Sequence, residues 1–338
     1  MKIAVLINGK AGRANADAIR SVVDRALFRA DIEYFEPTSA EELQATTLKQ
    51  ARTSEALIIC GGDGTLNTAI QPLMAELMKP PSKSESKFVI PPILPLPVGT
   101  ANDLASELGV SNRLERAARL VFETKPKSID VIEVKSSKKT VYMLTNGGLG
   151  IAAETANLAN IVRETMSKNR NTSLAHRIGG ELVSLAGSRI YEILLAGQLL
   201  SGKSSKWLEG WSLSIEIDGG ILRETTAPFV MVNNQPGLGG KYVPAPLTSN
   251  TDGTFNILLV DTPNIFEQAR ALLKIRAGII PNERICPRLE TRRAVFRAHD
   301  SAKDLTFFGD GEILQTGVRE IELTCLKRAL PVYVGGES

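Results

Sequence analysis

The feature that most constrains this chain is a continuous apolar segment that runs directly into a glycine-rich turn. Ala56–Cys60 contains no polar residue apart from the cysteine thiol, and Gly61-Gly62-Asp63-Gly64-Thr65 follows at once. An unbroken apolar run of this length is typical of a strand in a parallel sheet that is covered on both faces. We therefore expect a buried strand here, a turn made of glycines, and a helix from about Leu66.

Strand and helix signals alternate over the first third of the chain. The predicted strands are Lys2–Ile7, Ile32–Phe35, Ala56–Cys60 and Phe88–Pro97. Predicted helices cover Ile19–Ala30, the segment after the capping box Ser39–Glu42, the segment from Leu66, Asn102–Leu108 and Leu114–Phe122. This rhythm predicts a doubly wound, Rossmann-like α/β domain over residues 1–128.

The pattern changes from about residue 129, where alternating polar and apolar residues indicate a mainly β region. Trp211–Ile217 alternates and is followed by an Asp-Gly-Gly turn, which predicts a hairpin. Phe255–Leu259 and Ile321–Cys325 alternate in the same way. Helical excursions are expected around 152–200 and 263–278. We predict a second domain over residues 129–317, and leave open whether 318–338 returns to complete the first.

Bulk properties exclude some classes of protein. The net charge of +3 gives no reason to expect nucleic acid as a partner. Three dispersed cysteines and two histidines form neither a disulfide framework nor a zinc spacing, and they suit a reducing cytosol. The apolar stretch 182–200 contains Arg189 and Glu192, which argues against a membrane-spanning helix. A cytoplasmic protein is expected, with peripheral membrane contact left open.

The glycine turn is the strongest chemical signal. Glycines let backbone N–H groups approach phosphate oxygens closely, and the following helix adds its positive end. Asp63 would repel a phosphate unless a cation lay between them, which suggests Mg²⁺ nearby. The alternative is a plain strand–turn–helix connection whose glycines serve only the geometry.

Two further loops follow strands of the same predicted sheet. One is Asn8–Gly12, and the other is Pro97–Leu104. Each alone is ordinary turn chemistry, and Asn102 could serve only as a helix cap. Because ligands gather at the carboxyl ends of parallel strands, we expect these loops to converge with the glycine turn.

Gly61–Asn67 followed by Pro97–Leu104 resembles the diacylglycerol kinase catalytic-domain superfamily of lipid kinases. Asn146–Gly150, Asp252-Gly253 and Asp310-Gly311-Glu312 resemble further motifs of that family. The resemblance implies a nucleotide-binding α/β domain, a C-terminal β-sandwich domain and an active site in the cleft between them. It also implies ATP and Mg²⁺.

The resemblance also assigns roles to residues. Glu312 would accept the proton of a lipid hydroxyl, Asp310 would help to place charge or metal, and Asp63 would support the catalytic Mg²⁺ through its water shell. A structural Mg²⁺ would be held at Ser249, Asp252 and Thr254. The residues expected to contact ATP are Asn8, Gly9, Lys10, Ala11, Gly12, Thr38, Gly62, Asp63, Gly64, Thr65, Leu66, Asn67, Thr68, Gly99, Thr100 and Asn102.

The sequence departs from the family in places. The first loop has Asn8-Gly9-Lys10 where the family usually has Asn-Pro, and Asn256 stands where many relatives carry aspartate. The segment 152–210 is longer and more helical than in compact bacterial relatives. A basic stretch from Lys274 to Arg297 is either a solvated face or a surface attracted to anionic lipid headgroups.

The expected function is an ATP-dependent lipid kinase that phosphorylates diacylglycerol or a related lipid at a membrane surface. A soluble-metabolite kinase of the NAD kinase or phosphofructokinase type is the first alternative, because those enzymes also use a Gly-Gly-Asp-Gly loop. A catalytically silent nucleotide- or lipid-binding regulator is the second, and the intact Asp63, Asp310 and Glu312 argue against it. A homodimer is left open.

Overall fold

The computed structural model describes residues 1–8, 15–80, 87–99, 101–151, 153, 212–239, 242–279, 282–299 and 303–336. Apart from Ile151 and Ala153, the segment 151–211 lies outside these residues, and with it most of the helical excursion that we predicted there.

The helices and strands within the described residues are as follows, in chain order. The helices are α1 (Ala16–Ala26), α2 (Ala40–Ala51), α3 (Asp63–Leu77), α4 (Asp103–Glu107), α5 (Leu114–Glu123) and α6 (Ile265–Arg276). The strands are β1 (Lys2–Ile7), β2 (Asp31–Phe35), β3 (Ala56–Gly61), β4 (Ile93–Pro97), β5 (Lys127–Lys135), β6 (Thr140–Met143), β7 (Asn146–Gly150), β8 (Leu213–Ile217), β9 (Ile221–Thr225), β10 (Phe229–Asn233), β11 (Phe255–Val260), β12 (Arg288–Thr291), β13 (Arg293–Ala298), β14 (Leu305–Gly309), β15 (Glu312–Val318) and β16 (Glu320–Val332).

The N-terminal part is a parallel sheet in the order β2-β1-β3-β4, with helices on its faces. Helix α1 packs with α5, and α2 packs with α3. Strands β1, β3 and β4 are buried along nearly their whole length, which explains why their sequences are almost purely apolar. The predicted doubly wound α/β domain is therefore confirmed.

Several predicted boundaries were wrong, including both ends of α1, and two of the errors have clear local causes. Helix α3 begins at Asp63 rather than Leu66, because Gly62 is its N-cap in an extended conformation and the next residues form the first turn. Strand β4 begins at Ile93 rather than Phe88. Pro91 and Pro92 have no N–H to donate to a neighbouring strand, so regular pairing starts only after them.

Strand β16 joins the two parts of the chain in one ten-stranded sheet. It pairs antiparallel with β5 and β13 along most of its length, and parallel with β4 at Val332 and Ile93. The pairing with β5 shifts register between Leu326 and Leu330, around Arg328, which has a φ of 50°. The segment 318–338 thus contributes to both parts, while the domain division at residue 128 stays a prediction.

The C-terminal part is a β-sandwich. One layer is the six-stranded antiparallel sheet β12-β11-β10-β7-β14-β15, and the other is the antiparallel half of the large sheet. Phe255 and Phe307 of the first layer share a core with Phe296 and Leu323 of the second. The hairpin β8–β9, turned by Asp218–Gly220, was predicted correctly. The mainly β second domain is therefore confirmed.

The outer face of the six-stranded sheet carries α6. Phe229, Met231 and Leu258 of the sheet pack against Ala271 and Ile275 of the helix. Among the described residues no helix is long and apolar enough to cross a membrane.

Because β16 serves both cores, a cavity at either end of the strand should destabilise the protein. Leu330 lies in the α/β core and Leu323 lies in the sandwich core, and both are fully buried. We expect Leu330→Ala and Leu323→Ala each to lower the free energy of unfolding by about 2–5 kcal/mol. Urea titration followed by circular dichroism measures this change.

The matched control is Leu222→Ala, because Leu222 is a leucine on a strand with an exposed side chain. We expect it to change the free energy of unfolding by less than about 0.5 kcal/mol. An effect of Leu330→Ala as small as that of the control would show that β16 does not brace the α/β core.

Candidate active site

Three loops meet at the carboxyl edge of the parallel sheet, as predicted. The backbone N–H of Asn8, after β1, donates to the carbonyl of Cys60 in β3 (3.1 Å). Its side-chain Nδ2 donates to Oγ1 of Thr65 in α3 (2.9 Å). The N–H of Val98, after β4, donates to the carbonyl of Gly61 (3.3 Å). The predicted contacts Gly9, Lys10, Ala11, Gly12 and Thr100 lie outside the described residues.

The N-terminus of α3 stands at the centre of this edge. Its N-cap is Gly62, which has no side chain to cover the amide groups of the first turn. The N–H groups of Asp63, Gly64 and Thr65 have no carbonyl partner within the helix, because the first turn of any helix lacks them. Unshielded amides and the positive end of the helix dipole together make this a place for an anion.

Gly62 and Gly99 approach one another so closely that there is no room for a side chain at Gly99 and little room for one at Gly62. A Cβ on Gly99 would lie 2.4 Å from Cα of Gly62. Asn102 holds the Gly99 turn by accepting the Gly99 N–H at Oδ1 and donating from Nδ2 to the Gly99 carbonyl, each at 3.0 Å. Asn102 precedes α4 in a left-handed conformation (φ 56°) and makes no side-chain cap bond. It therefore braces the turn rather than capping the helix.

Asp63 caps α4 instead. Its carboxylate accepts the backbone N–H groups of Asp103 (3.0 Å) and Leu104 (3.1 Å). A carboxylate at this position satisfies two amides at the start of a helix and fixes α4 against α3. The structure thus gives Asp63 a positioning role that the sequence did not indicate, and its predicted link to a metal stays a prediction.

The side chains of Leu66 and Asn67 are buried inside the protein, and the contact of these residues with ATP stays a prediction. Leu66 belongs to the α/β core. Asn67 donates from Nδ2 to the carbonyl of Tyr142 (2.8 Å) and to Oδ2 of Asp310 (2.6 Å). Both side chains therefore hold α3 in place through contacts inside the protein. Thr68 is similarly engaged, since its hydroxyl donates to the carbonyl of Gly64 (2.8 Å).

Thr38 lies at the start of α2, after β2. Its N–H and its hydroxyl both donate to Oε2 of Glu42, each at 2.8 Å. The predicted capping box is present only in half: Ser39 Oγ accepts the Glu42 N–H (3.1 Å), while the Glu42 carboxylate reaches Thr38 instead of the N–H of Ser39. The contact of Thr38 with ATP stays a prediction.

Asp310 is a buried anchor between the two parts of the chain. Its carboxylate accepts from the N–H of Leu144 (2.8 Å), from the N–H (2.7 Å) and hydroxyl (2.6 Å) of Thr145, and from Asn67 (2.6 Å). Burial raises the pKa of Asp310, and these donors oppose that rise. The carboxylate is thus enclosed by protein donors, which supports a positioning role, and its expected part in placing charge or metal stays a prediction.

Glu312 lies two residues further on, at the start of β15, and its side chain is exposed. Its Oε1 stands 3.3 Å from the point where a Cβ on Gly64 would be. The carboxylate therefore lies against the first turn of α3. The structure thus brings together the glycine turn and the distant Asp-Gly-Glu motif.

Asp103 lies in the Pro97–Leu104 block, where no role was predicted for it. Its Oδ2 accepts the N–H of Gly239 (2.6 Å), which ties α4 to the sandwich. It also lines a cavity of about 110 Å³ between these parts, together with Ser106, Glu107, Gln235 and Gly237. Burial raises the pKa of Glu107 in this lining. Its position beside Asn102 in the Pro97–Leu104 block was the only signal in the sequence.

The predicted metal-binding turn has an oxygen-rich lining. Oδ1 of Asp252 accepts the N–H and the hydroxyl of Thr254, each at 2.9 Å, and the hydroxyls of Ser249 and Thr251 are 2.9 Å apart. Buried Asp130, another residue that sequence reasoning missed, accepts the N–H of Gly253 (2.6 Å). Carboxylate and hydroxyl oxygens are donors of the type that Mg²⁺ takes. No cluster of three or more His, Cys, Asp or Glu suited to a metal occurs within the described residues.

Comparisons with known proteins agree with this geometry. Residues 2–134 match the family model of the diacylglycerol kinase catalytic domain. A protein of Shewanella frigidimarina named "Probable lipid kinase YegS-like" is 26% identical over 86% of this chain and 81% of its own length. "Probable lipid kinase YegS" of Salmonella gallinarum is 27% identical over 66% of this chain and 68% of its own length.

Solved structures share the fold. A diacylglycerol kinase from Bacillus anthracis superposes with a TM-score of 0.67 at 17% identity, covering 99% of this chain and 97% of that one. A second structure from the same organism gives a TM-score of 0.71 at 19% identity with the same coverage. The chain is therefore similar to diacylglycerol kinases in fold, and its residues 2–134 match the family model of their catalytic domain.

The anchoring role of Asp310 can be measured as stability. Asp310→Asn would turn an amide N–H₂ toward groups that are themselves donors, or leave some of them without an acceptor. We expect the free energy of unfolding to fall by about 3 kcal/mol. Asp304→Asn is the control: its exposed carboxylate pairs with Arg319 at 3.5 Å, and we expect a loss below about 1 kcal/mol. Equal effects of the two substitutions would contradict the anchoring role.

Proposed function

We propose that this protein is an ATP-dependent lipid kinase that transfers the γ-phosphate of ATP to a hydroxyl of diacylglycerol or a related lipid. The observation that carries the proposal is the placement of Glu312 against Gly64, in the first turn of α3. This arrangement sets a carboxylate beside a helix end that is suited to phosphate. A group that can accept a proton therefore lies beside a group that can hold the transferred phosphate, where the α/β part meets the sandwich.

Nucleotide binding falls to the carboxyl edge of the sheet. The amides of the first turn of α3 would donate to phosphate oxygens, and the close pair Gly62 and Gly99 lets a phosphate approach the backbone. Asn8 and Asn102 hold the flanking loops through their side-chain hydrogen bonds. These groups would position the phosphates before the reaction. Positioning and charge stabilisation account for most of the catalysis of phosphoryl transfer.

The residues around the cleft suit Mg²⁺, since their donors are oxygens. We assign a catalytic Mg²⁺ to the side of Asp63, and a structural one to the turn of Ser249, Asp252 and Thr254. When bound, such an ion would neutralise charge on the transferring phosphate or stiffen the turn. Asp130 already holds that turn to β5 and β16 by accepting the N–H groups of Gly253 and Arg328, each at 2.6 Å.

Glu312 would act as the general base. As the lipid hydroxyl oxygen bonds to the γ-phosphorus, the bond from that phosphorus to the β-phosphate oxygen breaks, and the hydroxyl proton passes to the Glu312 carboxylate. Asp310 keeps the preceding turn fixed from inside, so that the Glu312 carboxylate stays against α3. In this proposal Asp310 holds the turn in place, and Glu312 contacts the substrate hydroxyl.

The lipid acceptor is supported by the match of residues 2–134 to the diacylglycerol kinase catalytic domain and by the names of the relatives. Cytoplasmic location, peripheral membrane contact and a homodimer stay predictions. A purified sample with Mg-ATP should phosphorylate at least one lipid in a panel of diacylglycerol, sphingoid base and phosphatidylglycerol, and should leave NAD unchanged. Transfer to NAD alone would establish a soluble-metabolite kinase instead. Bound ATP with no transfer to any acceptor would establish a silent regulator.

Glu312→Ala tests the base directly. We expect kcat to fall by about 10²–10⁴-fold, because general-base catalysis is lost, while the affinity for ATP changes little. Steady-state kinetics and isothermal titration calorimetry measure the two quantities. Glu123→Ala, at the exposed end of α5, is the matched control and should retain full turnover. Unchanged turnover in Glu312→Ala would remove this residue from the mechanism.

A further inference from the structure

Helix α6 and the turn after it expose three large apolar side chains to solvent. Phe266 is 82% exposed, Leu273 is 66% exposed, and Ile279 is 55% exposed. Such residues on one element of a folded protein are unusual, because each loses free energy by contact with water. Exposed apolar groups that lie together commonly mark a surface that binds a partner or a membrane.

These side chains lie opposite the face that α6 buries. Ala271 and Ile275 pack on the six-stranded sheet, and Gln268 is buried beside them. Phe266 and Leu273 are seven positions apart, so they share one stripe on the far side of the helix at the 3.6 period. Packing of the sandwich therefore does not account for them.

Cationic side chains accompany the stripe. Arg270 lies between Phe266 and Leu273 on the helix and is exposed, and Lys274 follows Leu273 and is half-buried. The acidic residue of α6, Glu267, directs its carboxylate to the hydroxyl of Thr262 (2.5 Å). Long cationic side chains can keep their charge at headgroup level while their neighbours enter the apolar layer. This combination complements a surface that is apolar inside and negatively charged outside.

Helix α6 is linked to the candidate active site through hydrogen bonds from Val243 and Gly239. The N–H of Val243 donates to the carbonyl of Ile275 in α6 (3.2 Å), and Gly239, a few residues earlier, donates to Asp103 (2.6 Å). Asp103 lines the cavity between α4 and the sandwich. One short segment therefore connects α6 to the edge of that cavity.

We propose that Phe266, Arg270, Leu273, Lys274 and Ile279 form a docking face that seats the protein on an anionic lipid bilayer. The apolar side chains enter the layer below the headgroups, and the cations pair with lipid phosphates. Docking there brings the cavity near the membrane that holds a lipid substrate. This biological purpose rests on the lipid-kinase function proposed above, whereas the binding itself does not.

The apolar part is tested by co-sedimentation of the full chain with vesicles of phosphatidylcholine and phosphatidylglycerol. We expect Phe266→Ser combined with Leu273→Ser to weaken binding by at least about tenfold, because apolar area no longer leaves water. The control is Phe28→Ser. Phe28 is 73% exposed and follows α1 at the opposite, amino edge of the parallel strands, so its removal should leave binding unchanged.

The electrostatic part is tested by lipid composition. The wild-type chain should bind vesicles containing phosphatidylglycerol more tightly than vesicles of phosphatidylcholine alone. Arg270→Glu combined with Lys274→Glu should remove that preference, since each cation near an anionic surface contributes about 1 kcal/mol, which is roughly a fivefold change in binding.

Four results would overturn the docking face: no binding of the wild-type chain to either vesicle, equal binding of wild type and Phe266→Ser/Leu273→Ser, a dimer in light scattering that this double variant dissociates, or a lower melting temperature of the double variant. The third would assign the face to a second copy, and the fourth to contacts within the chain.

Turnover of a short-chain, water-soluble diacylglycerol without vesicles separates this proposal from the proposed function. The double variant should retain that turnover, and vesicle binding by a chain that phosphorylates no lipid would contradict the kinase alone.

Discussion

The buried carboxylate of Asp310 is the interaction on which the arrangement of the site depends. It is enclosed by donors from Leu144, Thr145 and Asn67, which belong to the β6–β7 connection and to α3. A buried carboxylate is costly unless its oxygens are satisfied, so its donors must stay in place together. The same carboxylate therefore fixes α3 against the sandwich and sets the turn that carries Glu312. The distance between the phosphate-binding helix and the proposed base follows from this one group.

Strand β16 also joins distant parts of the molecule. It runs through the sandwich and ends beside β4, so one sheet carries both the nucleotide edge and the β layers. Asp130 holds the irregular part of β16 at Arg328 and the turn at Gly253 from a single buried position. In the same way, the Asp63 carboxylate accepts an N–H group at the start of α4, and the Asp103 carboxylate accepts the N–H of Gly239. Buried or half-buried carboxylates that accept backbone N–H groups thus join elements that hydrophobic packing alone would leave free to shift.

The sequence predicts the parts of this structure that depend on local pattern. Apolar runs identified β1 and β3, alternation identified β8 and β11, and the glycine turn located the start of α3 to within a few residues. The roles of Asn67 and Asp310 could not be predicted in this way, because the two residues bind one another from positions that lie 243 residues apart in the chain. Asp130 could not be found either, since an aspartate inside an apolar strand carries no local sign of the distant N–H groups that donate to it. Interactions between distant segments are properties of the fold rather than of any window of sequence.

The central claim is that phosphate transfer takes place between the N-terminus of α3 and Glu312. A crystal structure with Mg²⁺ and a non-hydrolysable ATP analogue tests it most directly. The account predicts that the terminal phosphate contacts the amides of Gly64 and Thr65, with the Glu312 carboxylate facing it across the cleft. A terminal phosphate bound away from the first turn of α3, or a Glu312 side chain on the far side of the sandwich from it, would contradict the claim.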